Sequence, residues 1–419
     1  MRGRKKEDDE MSKLEVLLHD LCPDGVEYKT IKEIAKDIYR GSGIKRTDVT
    51  DLGIPCVRYG EIYTTYGIWF EQCVSHTIEE NIQNPKYFEY GDILFAITGE
   101  SVEEISKSCA YVGHEKCLAG GDIVVLKHNQ NPKYLSYALS TAEAQIQKSK
   151  GKIKSKVVHS SVPAIQEIVI PIPPLEVQRE IVRILDNYTE LIAELTAELT
   201  AELTTRKKQY EYYRNFLLTK ETKVEKMTLK EIAKKYCSGG TPLKGHIEYY
   251  ENGNIPWLRT QEVTFNEITN TQCNITEKGL ANSSAKWIPE NCIIIAISGA
   301  SAGRCAVNKI PLTTNQHCLN IEIDATKALY KYVYYCVCDQ YTELIAKKEG
   351  ARGDLNASRI LSLVISIPPL EIQQRIVNIL DDLEVIYNNL NITLSAEIVM
   401  KKKQYEYYRD KLLTFKSLL

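Results

Sequence analysis

IPPLEVQREIVRILD (172–186) recurs as IPPLEIQQRIVNILD (367–381), with eleven of fifteen positions identical. KKQYEYYRNFLLT (207–219) recurs as KKQYEYYRDKLLT (402–414), with eleven of thirteen identical. Both matches share an offset of 195 residues, so the stretch between them has kept its length. A repeat of this kind fixes the architecture before any single motif is weighed. Weaker echoes lie upstream: IKEIAK (31–36) with LKEIAK (229–234), IPCVRYGE (54–61) with IPWLRTQE (255–262), and GDILFAITGES (91–101) with NCIIIAISGAS (291–301). Their offset drifts between 195 and 201, as expected where surface loops gain and lose residues. The chain therefore reads as globular part, long helix, globular part, long helix.

Residues 175–219 form the first helix in this reading. Val177, Ile181, Ile184, Tyr188, Leu191, Leu195, Leu199 and Leu203 fall three or four apart, the spacing of one helical face. Pro173 and Pro174 stand just before the start, where a missing N–H costs nothing, and Glu176 suits the positive end of the helix. Such a helix spans about 65 Å. The second helix, 370–414, carries the matching stripe Ile379, Ile386, Leu390, Leu394 and Ile398. Two apolar stripes of this length are expected to cover each other as a coiled coil. The first helix leads into the second globular part and the second helix leaves it, so the pairing is antiparallel with an internal pseudo-two-fold repeat. Tyr210, Tyr213 and Leu217, with Tyr405, Tyr408 and Leu412, continue one side of each helix. Three tyrosines in four residues exceed what one seam buries, and the remainder suits a partner surface.

The globular parts mix short β-rich runs (GDILFAITG, GGDIVVLKH, CIIIAISG, HCLNIEID) with a helix expected over 133–149 and over 327–348, an α+β class. The expected division is a disordered tail at 1–10, a first domain at 11–163, a spacer helix at 164–222, a second domain at 223–357 and a second spacer helix at 358–419. Met11 offers an alternative start. The leading MRGRKKEDDEMSKLEVLL has no apolar core of a secretory signal. Twelve cysteines without a C-x-x-C pair argue against zinc and a disulfide framework, and for a reducing cytoplasm. No apolar run reaches the roughly 20 residues of a membrane span. A net charge of −2 leaves nucleic-acid binding open, since basic groups can gather on one face.

Basic residues gather in two corresponding places. KSKGKIKSK (148–156) includes Lys150, Lys152, Lys154 and Lys156, and AKKEGAR (346–352) includes Lys347, Lys348 and Arg352. Lysines beside a glycine suit phosphate contacts, which set register rather than sequence. Arg40, Lys45 and Arg46 flank the GSG turn, and Lys244 follows GGTP. Arg58 and Arg259 match across the repeat; arginine can read guanine, yet a residue shared by two different readers suits backbone contact or structure better. Base-reading residues are expected in the unmatched loops, 61–76 and 262–286 among them. Decoys fall away on spacing. PDGVEYK (23–29) is too compressed for a nuclease metal site, and GASAG (299–303) has no matching Asp and His. No phosphate-binding loop and no N-P-P-[FYW] motif is present, and histidines such as His317 have no ligand partners in range.

Two variable domains alternate with helices opened by I-P-P-L-E-x-Q-x-x-I and closed by K-K-Q-Y-x-Y-Y-R-x-x-L-L. This pattern resembles the specificity subunit of type I restriction–modification systems. SGGTP (238–242), IPWLR (255–259) and GARGDLNAS (350–358) support the resemblance; GSGIK (41–45) and KGKIKSK (150–156) depart from it. The resemblance implies two target-recognition domains, each reading half of a bipartite site in double-stranded DNA. It implies helices that act as spacer and dock two methyltransferase subunits and, through them, restriction subunits. No cofactor is expected on this chain; S-adenosylmethionine, ATP and Mg²⁺ would sit on the partners. From the residues alone, a coiled-coil scaffold joining two protein-interaction domains remains the alternative.

Overall fold

A computed structural model describes residues 13–150, 157–220, 224–346 and 355–418. The chain forms two compact units, one built from residues up to Glu198 together with those from Ala396 onward, the other from Leu199 to Ser395. Six helices position the site: α1 (Pro132–Leu139), α2 (Ala142–Ser149), α3 (Leu175–Thr219), α4 (Tyr330–Asp339), α5 (Tyr341–Ala346) and α6 (Leu370–Leu412). Both long helices cross from one unit to the other, so each unit owns half of each.

The two domains repeat one α+β topology. In the first, a five-stranded sheet runs Ala35–Arg40, Ile123–His128, Ile93–Ala96, Ser108–Tyr111, Trp69–Phe70; in the second it runs Ala233–Ser238, Cys318–Ile323, Ile293–Ala296, Cys305–Asn308, Glu267–Ile268. All neighbours are antiparallel except the last pair, which is parallel in both. A second sheet, five-stranded in the first domain and three-stranded in the second, sets Ile54–Val57 parallel to Cys117–Ala119, and Ile255–Leu258 parallel to Thr313–Thr314. The IKEIAK and LKEIAK echoes are matching capping boxes. The Thr30 and Thr228 hydroxyls accept from the backbone of Glu33 and Glu231, whose carboxylates reach back. This reciprocal arrangement satisfies donors that a short helix cannot satisfy itself.

Each expected domain helix is in fact a pair. Ser140 ends α1, and the Thr141 side chain accepts from Ala144 N at 3.3 Å, starting α2 afresh. In the second domain the break falls at Gln340. A side-chain oxygen that caps a new helix competes with continuation of the old one.

Within each unit the halves of α3 and α6 run antiparallel. In the Leu199–Ser395 unit, Tyr210 stacks on Tyr387 with ring centroids 5.3 Å apart, while Leu217 and Leu218 share a core with Ile372, Ile376 and Leu380. In the other unit the Thr189 hydroxyl meets Tyr405 Oη at 2.8 Å, and Leu412 and Leu413 join the core of Val177 and Ile181. The seam is not the full stripe read from the sequence. Ile184 and Leu199 are buried, and Leu195, Leu203, Leu394 and Ile398 are half-buried. Leu191, Ile379, Ile386 and Leu390 instead keep 36–56% of their surface exposed. Spacing alone does not separate the two groups, because Ile184 and Ile379 hold equivalent positions of the repeat, yet the first is buried and the second 46% exposed.

Candidate nucleic-acid interface

A duplicated network fastens each domain to its long helix. Gln178 is fully buried: its Oε1 accepts from Asn131 N at 2.9 Å, and its Nε2 donates to Pro173 O at 2.8 Å and Gln130 Oε1 at 2.7 Å. Gln373, equally buried, accepts from Leu329 N at 2.8 Å and donates to Pro368 O at 2.8 Å. Asn131 and Leu329 are the N-caps of α1 and α4, so the glutamine of I-P-P-L-E-x-Q ties two helix starts together. Lys133 pairs with Asp186 at 2.8 Å and Lys331 with Asp381 at 2.9 Å. Tyr137 and Tyr335 donate to the same two aspartates at 2.8 and 2.6 Å. These groups were not singled out from sequence, although the identical Gln and Asp of the repeated motif were the available signal.

The matched arginines also have a structural post. Arg58 N donates to Glu61 Oε2 at 3.0 Å, and its Nε lies 3.4 Å from Oε1; Arg259 N donates to Glu262 Oε1 at 3.1 Å, with Nε at 3.7 Å. Each glutamate then holds the next variable loop, Glu61 through Ser75 Oγ at 2.7 Å and Glu262 through Gln272 N at 2.8 Å. The R-x-x-E spacing is the signal for this clamp. Both arginine side chains stay about a third exposed, at 31% and 32%.

Three pairs of backbone hydrogen bonds establish that one framework underlies both sites. Gly120 N donates to Val57 O at 2.8 Å, as Asn315 N does to Leu258 O at 3.0 Å. Ser42 N reaches Ala119 O at 2.8 Å, and Gly240 N reaches Thr314 O at 2.9 Å. Ile97 N reaches Asp122 O at 3.0 Å, and Ile297 N reaches His317 O at 2.9 Å. In the first domain these loops border a groove of ≈ 690 Å³ that brings together Arg40, Arg46 and Arg58, with Tyr59 and Asp122. Lys45 is exposed beside it, and Lys244 is exposed after the corresponding turn of the second domain.

Lys150 is exposed at the end of α2; Lys152, Lys154, Lys156, Lys347, Lys348 and Arg352 lie outside the described residues. Lys148, counted from sequence in the same basic run, is instead only 4% exposed and donates to Leu139 O at 2.7 Å. Burial, assisted by the charge of Arg409, lowers its pKa to about 7. The tyrosines divide as well. Tyr210 and Tyr405 face inward, whereas Tyr212, Tyr213, Tyr407 and Tyr408 are 43–65% exposed. Tyr213 and Tyr408 thus leave the side they were expected to share with Tyr210 and Tyr405. Among the described residues there is no group of three or more His, Cys, Asp or Glu able to hold a metal, and no helix is long and apolar enough to cross a membrane.

A family model described as the type I restriction modification DNA specificity domain matches residues 23–205 and again 221–399. The chain is similar to the EcoR124I/EcoR124II specificity subunit of Escherichia coli, 39% identical over 295 residues, which are 68% of this chain and 70% of that one. It is 61% identical over 192 residues to the EcoprrI specificity subunit of Escherichia coli, covering 43% and 47% of the two chains. One solved structure, from work on complex assembly and conformational transition of the type I R-M system, superposes with a TM-score of 0.75. Its identity is 16%, over 94% of this chain and 98% of that one. The HsdS subunit of Thermoanaerobacter tengcongensis gives 0.51 at 14% identity, over 94% and 97%. These two structures establish the fold.

Proposed function

The chain belongs to the type I restriction modification DNA specificity family, and on that premise we propose that it is the non-catalytic subunit that reads a bipartite DNA target. Each α+β domain reads one half. The long helices dock two adenine methyltransferase subunits and, through them, restriction subunits. S-adenosylmethionine, ATP and Mg²⁺ belong to those partners in this reading. The observation that carries it is the pair of domains: one backbone framework and one fastening network, repeated, with different side chains on the matching loops. Two unlike readers in one chain suit an asymmetric, two-part target on a duplex. The exposed tyrosines toward the end of each helix supply aromatic surface of the kind that interfaces favour.

Reconstitution tests this reading. The purified chain alone is expected to show neither methylation nor cleavage. With its methyltransferase partner and S-adenosylmethionine it is expected to direct methylation of one adenine per half-site, on opposite strands. Methylation by the isolated chain would overturn the assignment.

Replacing Lys150, Lys152, Lys154 and Lys156 by alanine is expected to weaken DNA binding equally for all sequences. Each lost phosphate contact lowers the slope of log affinity against log salt by about 0.9. A changed motif at unchanged affinity would reassign that segment to base reading.

The TAEL units Thr196–Leu199 and Thr200–Leu203 lie in tandem in the uninterrupted α3. One added unit lengthens the helix by about 6 Å and turns it by only about 40°. Given an axial rise of about 3.4 Å per base pair, the unread gap of the target is expected to widen by about one base pair, at most two, with both half-sites unchanged. Sequencing of the methylated motif reads this directly, and a constant gap in every active variant would remove the helices from spacing control.

A further inference from the structure

The shared framework allows the two domains to be compared residue by residue, and at one place they exchange large for small. In the sheets Arg40 pairs with Val124, and Ser238 with Leu319. Asp122 and His317 occupy the same post before the next strand, fixed by the bonds to Ile97 and Ile297. Arg40 therefore corresponds to Ser238, and Gly121 to Gln316. In the first domain the bulk comes from the strand end: the Arg40 guanidinium crosses to Gly121 O and donates to Asp122 Oδ1 at 2.6 Å. In the second it comes from the opposite loop. Gln316 is exposed, its Oε1 accepts from Thr241 Oγ1, and its Nε2 lies 3.2 Å from His317 Nε2. The same piece of rim thus carries a held guanidinium in one domain and a held carboxamide in the other.

We propose that this rim reads one base pair of each half-site, Arg40 taking guanine in one and Gln316 taking adenine in the other. The unused hydrogen-bonding groups decide the chemistry. With Oε1 bound once and Nε2 donating once, Gln316 keeps one acceptor and one donor, the pattern that matches adenine N6 and N7 in the major groove. Arg40 has committed Nε and one Nη2 hydrogen, and retains the donors of Nη1 and one on Nη2, a fork for the two acceptors of guanine, O6 and N7. Asp122 on one side and Thr241 with His317 on the other hold these side chains before DNA arrives, so little side-chain entropy is lost on contact.

The inference rests on the proposed DNA-reading function. Its test uses the full chain with its methyltransferase partner and reads the methylated motif by sequencing. Gln316→Ala is expected to relax one base position of one half-site, with discrimination there falling about 5- to 150-fold, while the other half-site and the gap stay fixed. Ser238→Arg combined with Gln316→Gly is expected to move that same position from adenine toward guanine. An unaltered motif in Gln316→Ala overturns the proposal, as does a uniform loss of binding across all sequences; because Gln316 is exposed, this single variant remains informative if the double exchange does not fold. A wild-type assembly that yields no bipartite motif would sink the DNA-reading function itself, a separate outcome.

Discussion

Replacing Gln178 by leucine is expected to destabilise the first domain by roughly 2–5 kcal/mol and to leave the second unchanged; Gln373→Leu should do the reverse. Leucine is close in size, so the loss is one of hydrogen bonds rather than of volume. Asn131 N and Pro173 O would remain buried beside an apolar group, as would Leu329 N and Pro368 O in the second domain. Each abandoned group costs about 1–3 kcal/mol. The partners of Gln178 all lie within one compact unit and those of Gln373 within the other, which makes each variant a control for the other. Because the chain has two units, a single unfolding midpoint is not a defined quantity. Hydrogen exchange of the α1 and α4 amides reads each domain separately. A shift below about 1 kcal/mol, or an equal shift in both domains, would contradict the fastening role.

The second large effect is a pH dependence. Lys148 titrates near 7 in the folded domain because it is buried and because Arg409 adds like charge, whereas an unfolded lysine titrates near 10.4. Between these values the unfolded chain binds a proton that the folded one lacks, so stability rises with pH. Below about pH 7 the penalty is present in full, and above about 10.4 it is gone. The slope is up to about 1.4 kcal/mol per pH unit, about 5 kcal/mol across the window. Lys148→Met is expected to remove that slope and to stabilise the domain at neutral pH, offset by about 1–3 kcal/mol for the bond lost at Leu139 O. The stability difference between the two proteins, followed from pH 7 to 10, checks this. A difference that does not change with pH would mean Lys148 is charged in the folded state. One consequence for DNA binding is that the basic run begins at Lys150, not at Lys148.

The duplication, the two long helices and the α+β class were legible because each is a matter of period or of doubled motif, and local sequence carries both. The break at Thr141 was not, since a capping side chain competes with helix continuation by margins that periodicity does not display. Arg58 and Arg259 were visible as a pair, and doubt about base reading by a shared residue agrees with their clamps to Glu61 and Glu262. The pairing of Arg40 with Gly121, and of Thr241 with Gln316, joins segments 81 and 75 residues apart. Only the folded sheets bring them to one rim. Leu191 and Ile386 show the converse, an apolar pattern read as a seam that the helix turns outward.

The central claim is that one chain reads two different half-sites of one DNA target. Mapping methylated adenines across the native genome, with and without this gene, tests it most directly. The expected result is a single bipartite motif, two unlike half-sites around a fixed gap with one methylated adenine on each strand, that disappears on deletion and returns with the gene. A methylation pattern indifferent to the gene, or a contiguous motif without a gap, would contradict the account.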